Sequence, residues 1–215
     1  MSLRDRQLAA LGGGGGALLV VDVQRSFGDP EMLADFGLSE QAAADVAAAV
    51  SRSAELVADA RADGVPVYWI ELATETPWRA SQWLRTGDPD HPIDDGEPCV
   101  VGTAGAEWYV LEPHDDEPRF RKTGYSGFLG TGLAERLRAD GIRWVSVIGL
   151  TTECCILATA TDAVQLDWPV FVPRDATAAY APHLHENALE LLALNVAVIG
   201  DADELVALWG GEETS

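Results

Sequence analysis

The amino-acid sequence predicts an α/β fold of three layers, with a mostly parallel sheet covered by helices on both faces. Two observations carry this. Short runs rich in Val, Leu and Ile recur at 17–23, 65–70, 144–150, 169–172 and 196–199. They lack the polar alternation of a half-exposed strand, as strands buried on both faces do. Between and after them lie stretches of helical character at 39–63, 129–140, 153–166, 183–194 and 202–209. Strands that alternate with helices at such spacing build βαβ crossovers and a parallel sheet.

Taken in chain order, the first feature is a run of five glycines, Gly12 to Gly16. A phosphate-binding glycine loop follows a strand and opens a helix. These glycines precede a strand, so 1–16 reads as a flexible lead-in and 17–215 as a single domain. The strand at 17–23 is followed by an Ala-rich helix at 39–63, which Gly64 terminates, and "VPVYWI" is the second strand. Residues 71–118 are irregular, with many Pro, Gly, Asp and Trp residues. Loops of that length inside a domain are usually functional or disordered, and Trp78, Trp83 and Trp108 favour an ordered region lining a pocket. A short extended stretch, "PRFRK", leads into the second half. There the helix at 129–140 ends at Gly141, and strand, helix, strand, helix, strand and a short last helix follow. No internal repeat is present.

Composition narrows the function classes. The formal charge of −21 excludes the basic footprint that nucleic-acid binding needs and disfavours an anionic membrane surface. No apolar run reaches the roughly 18 residues of a membrane helix, and the N-terminus has no signal-peptide pattern. The three cysteines, two of them adjacent, make a poor disulfide framework. That suggests a reducing compartment, and a cytoplasmic location is expected.

In parallel sheets ligands sit beyond the carboxyl ends of the strands. Three reactive side chains fall there. Asp22 ends the first strand, Lys122 ends the extended stretch, and Cys154 and Cys155 follow the strand at 144–150. A thiol attacks carbonyls as thiolate, favoured by a helix N-terminus or a nearby cation. Both cysteines fall in the first turn of the expected helix, with Thr151 or Thr152 as cap. Lys122 would supply positive charge, Asp22 would take and return the proton, and backbone N–H groups of the turn would hold the oxyanion. Each residue also has a plain structural reading, as cap, solvated lysine or buried small apolar group. Helical periodicity does not choose between the two cysteines.

Four blocks, in order, resemble the isochorismatase-like cysteine hydrolase family: "LLVVDVQRSF", "CVVGTAGAEWYVLEP", "RKTGYSGFLGTGLAERL" and "VIGLTTECCILATATDA". The resemblance covers most of the chain from 17 to about 178 and implies a six-stranded, mostly parallel Rossmann-like sheet. In its register Cys155 is the nucleophile, Asp22 the base and Lys122 the third catalytic residue, with Cys154 a neighbour. It further implies a cis peptide at Thr151–Thr152, oxyanion donors from the N–H groups of Thr152 and Cys155, and a homodimer or homotetramer. The family's nicotinamidases carry a metal site of an Asp-x-His pair and a further His after the second strand. This chain has no histidine before His91, so no metal or other cofactor is expected. True isochorismatases lack the nucleophilic Cys. What remains is hydrolysis of a small amide, ureide or N-carbamoyl compound.

Gln24, Phe27, Trp78, Arg79 and Tyr125 are the expected substrate contacts. Arg25, Arg79, Arg85 and Arg121 suit a substrate carboxylate, and Trp83 would add an apolar wall. The alternatives are a catalytically idle member of the fold acting as a binding or assembly protein, a redox protein using the cysteine pair, or an isochorismatase- or nicotinamidase-type hydrolase.

Overall fold

The computed structural model describes residues 1–76, 78–94 and 96–210; residues 211–215, assigned to the domain from sequence, lie outside that set. Helix α1 (Leu3–Leu11) precedes strand β1 (Gly16–Val21). Two single turns, α2 (Arg25–Gly28) and α3 (Pro30–Leu33), lead to the long helix α4 (Glu40–Ala62) and strand β2 (Val67–Leu72). Then come α5 (Arg79–Thr86), β3 (Arg119–Lys122), α6 (Leu133–Ala139), β4 (Trp144–Leu150), α7 (Leu157–Gln165), β5 (Val170–Pro173), β6 (Thr177–Ala178), α8 (Pro182–Asn195), β7 (Val198–Gly200) and α9 (Ala202–Trp209).

The expected parallel sheet is present. Its main path is six strands in the order β3-β2-β1-β4-β5-β7, and the two-residue β6 adds a seventh by pairing with β4. Every pairing is parallel. The sheet needs two covers because its strands are apolar on both sides. Within β1, Leu18 and Val20 pack with Val46, Val50 and Leu56 of α4 and Leu205 of α9. Ala17, Leu19 and Val21 face the opposite way, toward Leu133 and Leu137 of α6, Ala160 of α7 and Leu192 of α8. Successive strand side chains alternate between faces, so one run feeds two cores. All six β1 residues are buried, each large side chain contributing about 1.5–3 kcal/mol.

The lead-in departs from the expectation of a flexible segment. Residues Leu3–Leu11 are helical because Ser2 and Asp5 form a reciprocal capping box, which satisfies two otherwise orphaned N–H groups. Arg4 then ties this helix to the Ile199 carbonyl at 2.7 Å, and Gly16 already belongs to β1. The irregular stretch also holds an element the sequence reading passed over, α5. Ala80, Trp83 and Leu84 keep helical spacing, but the helix is only 8 residues long and sits in a stretch dominated by Pro, Gly and Asp, which hid it.

One glycine decides the geometry of the sheet edge. Gly149 has φ 115°, and a Cβ there would lie 2.0 Å from the Val21 carbonyl oxygen of β1. Gly149→Ala would push β4 from β1 next to Asp22. A loss of about 3 kcal/mol is expected, lowering Tm by about 10 °C; thermal denaturation reads it, and an unchanged Tm contradicts the close approach.

Candidate active site

Three strands deliver the reactive groups to one edge. Asp22 is the first residue beyond β1, with φ 53°. Such left-handed geometry in a non-glycine residue is uncommon and clusters at functional sites. Lys122 is the last residue of β3. Cys155 lies beyond β4 in a π-helical turn, Thr152–Ile156, rather than in the α-helix expected from 153. The wide turn closes with the Ile156 N–H donating to the Thr151 carbonyl at 3.2 Å, and such turns recur at functional sites.

These groups converge. Lys122 Nζ lies 2.7 Å from Asp22 Oδ2 with both side chains fully buried. It also donates to Cys155 Sγ at 3.3 Å and to the Gly124 carbonyl at 2.9 Å. Among the described residues, neither Asp22 oxygen accepts a hydrogen bond of good geometry; the lysine reaches Oδ2 as an ion pair. Asp22 therefore keeps lone pairs for a proton.

Electrostatics set the resting protonation. Burial raises the Asp22 carboxyl above its ordinary range, an effect the Lys122 charge only partly offsets. Burial alone would lower the Lys122 ammonium, but Asp22 and Cys155 outweigh it and push it up to about 12. The hydrogen bond with Cys154, then burial and the Asp22 charge, push the Cys155 thiol up, while the same contact with Cys155 lowers Cys154. A thiol held up in this way keeps its proton beside the Lys122 ammonium, and Asp22, whose oxygens are free of good hydrogen bonds among the described residues, is the group placed to take it. Activity that uses Asp22 as base is expected to rise with pH as the carboxyl ionises, with its midpoint above the ordinary Asp value of about 4. A kcat/KM profile measures this, and a limb below 4 contradicts it.

The cis peptide is at Leu150–Thr151, one bond before the expected Thr151–Thr152. The expected threonine cap is also absent: neither threonine side chain caps the turn. Instead Thr152 Oγ1 lies 2.9 Å from Thr177 Oγ1 and 2.8 Å from His185 Nδ1, which anchors the turn to β6 and α8. Thr151 faces the cavity.

A cavity of about 280 Å³ opens above Cys155. Phe27, Trp78 and Tyr125 line it as expected contacts, the last two edge to face at 5.1 Å. Two expected contacts are elsewhere. Gln24 is buried behind the site, its amide clamping Leu72 and Ala106. Arg79 is an exposed partner of Asp90 and lines no part of the cavity. Arg25 and Arg121 are likewise engaged, by Asp29 and Glu71. Trp83 is 61% exposed, and Trp108 packs on Trp69 at 4.9 Å. Arg85 does line the cavity, but Glu97 holds it with both carboxylate oxygens at 2.6 Å.

Among the lining residues that sequence reasoning missed are Gln82, Glu97, Glu153 and Tyr180. Glu153 was legible in principle, since it shares a turn with the cysteines. Gln82 and Tyr180 enter through α5 and the loop after β6, and nothing local marks them. Among the described residues no group of three His, Cys, Asp or Glu side chains is placed to hold a metal ion. No described helix is long and apolar enough to cross a membrane.

Comparison with known proteins places this geometry in context. The Isochorismatase domain matches residues 16–204. The probable inactive nicotinamidase of Arabidopsis thaliana is 30% identical over 184 residues, covering 84% of this chain and 89% of that protein. A ureidoacrylate amidohydrolase of Methylobacterium radiotolerans is 28% identical, covering 80% and 70%. The crystal structure of N-carbamoylsarcosine amidase from Thermoplasma acidophilum superposes with a TM-score of 0.67 at 25% identity, covering 87% of this chain and 96% of that one.

Proposed function

We propose that this chain, which belongs to the isochorismatase family of hydrolases, cleaves a C–N bond of a small amide, ureide or N-carbamoyl compound through a thioester on Cys155. The observation that carries the proposal is the single buried cluster of Lys122, Asp22 and Cys155, at 2.7 and 3.3 Å from the ammonium, beneath a cavity at the carboxyl edge of the sheet. The amidohydrolase relatives support the bond type.

The thiol proton passes to Asp22 as sulfur attacks the carbonyl carbon, and the N–H groups of Thr152 and Cys155 serve as the oxyanion donors, since those of Cys154 and Ile156 are given to the Thr151 carbonyl. Collapse breaks the C–N bond, and the leaving nitrogen takes the proton back from Asp22. Water then attacks the thioester, giving a proton to Asp22. Sulfur leaves and regains that proton. Lys122 holds the carboxylate in place and offsets negative charge on sulfur. Each step uses Cys155, Asp22, Lys122, the two oxyanion donors and water alone.

The Arabidopsis relative keeps a second reading open, a binding protein of the same fold. An ammonia-release assay over small amides, ureides and N-carbamoyl acids separates the two. Turnover is expected that survives chelation and Cys154→Ala and disappears with Cys155→Ala. Turnover that persists in Cys155→Ala overturns the thioester route. Absence of turnover together with slow alkylation of Cys155 favours the binding protein.

A further inference from the structure

Most charged groups around the cavity are already engaged. Arg85, its one lining guanidinium, is held by Glu97. Lys122 is buried behind the nucleophile and paired with Asp22. Among the described residues the lining therefore offers no free cation to a substrate carboxylate.

What it offers instead is acceptors. Gln82 is 1% exposed. Its Nε2 donates to Glu97 Oε1 at 2.6 Å, while its Oε1 is buried with no hydrogen-bond partner among the described residues. Glu153, two residues before Cys155, also has a buried Oε2 without a partner. Both side chains line the cavity that holds Cys155. A buried acceptor left unpaired costs about 1–3 kcal/mol, and more when charged, so a ligand donor that reaches these two oxygens from the cavity relieves that cost. The walls around them are aromatic, Trp78, Tyr125, Phe27 and Tyr180, and such faces attract cations. With Arg85 and Glu97 cancelling, Glu153 leaves the described lining residues with one net negative charge when ionised.

We infer that the cavity selects a cationic substrate, an amide whose body carries an ammonium or amidinium-type group that donates to Glu153 and Gln82 while the scissile carbonyl meets Cys155. This rests on the proposed hydrolase reading and deepens it. Burial raises the Glu153 carboxyl, and a bound cation reverses that by stabilising the carboxylate. A carboxylate-bearing substrate would face Glu153 with no compensating cation.

The test has two arms, in a Cys154→Ala background. The first alkylates Cys155 with cationic 2-bromoethylamine, neutral iodoacetamide and anionic iodoacetate, with mass mapping of the adduct. Each rate is divided by that for a simple free thiol. The cation-to-anion ratio is expected to exceed unity by about tenfold and to fall at least about fivefold in Glu153→Gln, as loss of one facing charge requires. The second arm compares kcat/KM for three amides of equal length whose far end is cationic, neutral or anionic. The same order is expected, with the cationic preference lost in Glu153→Gln. An alkylation ratio at or below unity, or one unchanged in Glu153→Gln, overturns the cationic assignment. Hydrolysis of the three amides without charge preference also overturns it, yet leaves the hydrolase standing. A strong alkylation preference with slow absolute alkylation and no turnover of these amides or of the ammonia-release panel keeps the cationic cavity and removes the hydrolase reading.

Discussion

Cys155→Ala is expected to lower kcat/KM by on the order of 10⁴-fold or more, since a group that acts as one unit with its base cannot be partly removed. Cys154→Ala is expected to stay within about fivefold of the parent, because no covalent step uses it. The pair is an informative test because ionisation alone points the other way. The Cys154 thiol is the lowered one and the Cys155 thiol the raised one. Were thiolate population decisive, Cys154 would react. Geometry selects Cys155 instead: its sulfur is the one that Lys122 reaches, at 3.3 Å, and the same ammonium lies 2.7 Å from Asp22 Oδ2, which brings thiol and base to one point. A protonated thiol beside an acceptor carboxylate needs only one proton shift to become the nucleophile. Ammonia release from both variants on the same substrate decides between the two views.

The second large effect concerns stability. Asp22→Asn leaves Lys122, 1% exposed, as a buried charge without its counterion. Breaking such a pair from one side costs about 3–5 kcal/mol. Lys122→Met strands Asp22 similarly, although that carboxyl can neutralise by binding a proton. The double variant Asp22→Asn/Lys122→Met is expected to recover most of the lost stability and none of the activity. Denaturant unfolding of the three variants reads this, and additive losses would contradict the coupling. The pH sense follows from the lysine. Its value rises on folding from 10.5 to about 12. The ammonium therefore contributes its full stability below about pH 10.5, and that contribution is lost as pH rises through about 12.

The layered fold was legible because β1, β2, β4 and β5 are buried on both faces and so read as unbroken apolar runs. The strand ends were legible by the same logic, which placed Asp22, Lys122 and the cysteines at one edge. Their convergence was expected from it too, but not its geometry, since the contact distances depend on β3 pairing beside β2, a long-range choice with no local signature. The choice of Cys155 came from family register, because 100° periodicity has no meaning across a π turn. The substrate contacts were the least legible. Gln24 and Arg79 looked available, yet a buried backbone clamp and Asp90 had taken them. Gln82 and Glu153 had no visible reason to be free. Which polar group is left unpaired is a property of the whole packing, not of a motif.

The most direct test of the central claim is mass mapping of enzyme quenched during turnover of an amide identified in the ammonia assay. An acyl group of the substrate's mass on the peptide carrying Cys155, absent in Cys155→Ala and retained in Cys154→Ala, is the predicted result. An acyl group on Cys154, or turnover with an unmodified enzyme at every quench time in a burst-phase reaction, would contradict it.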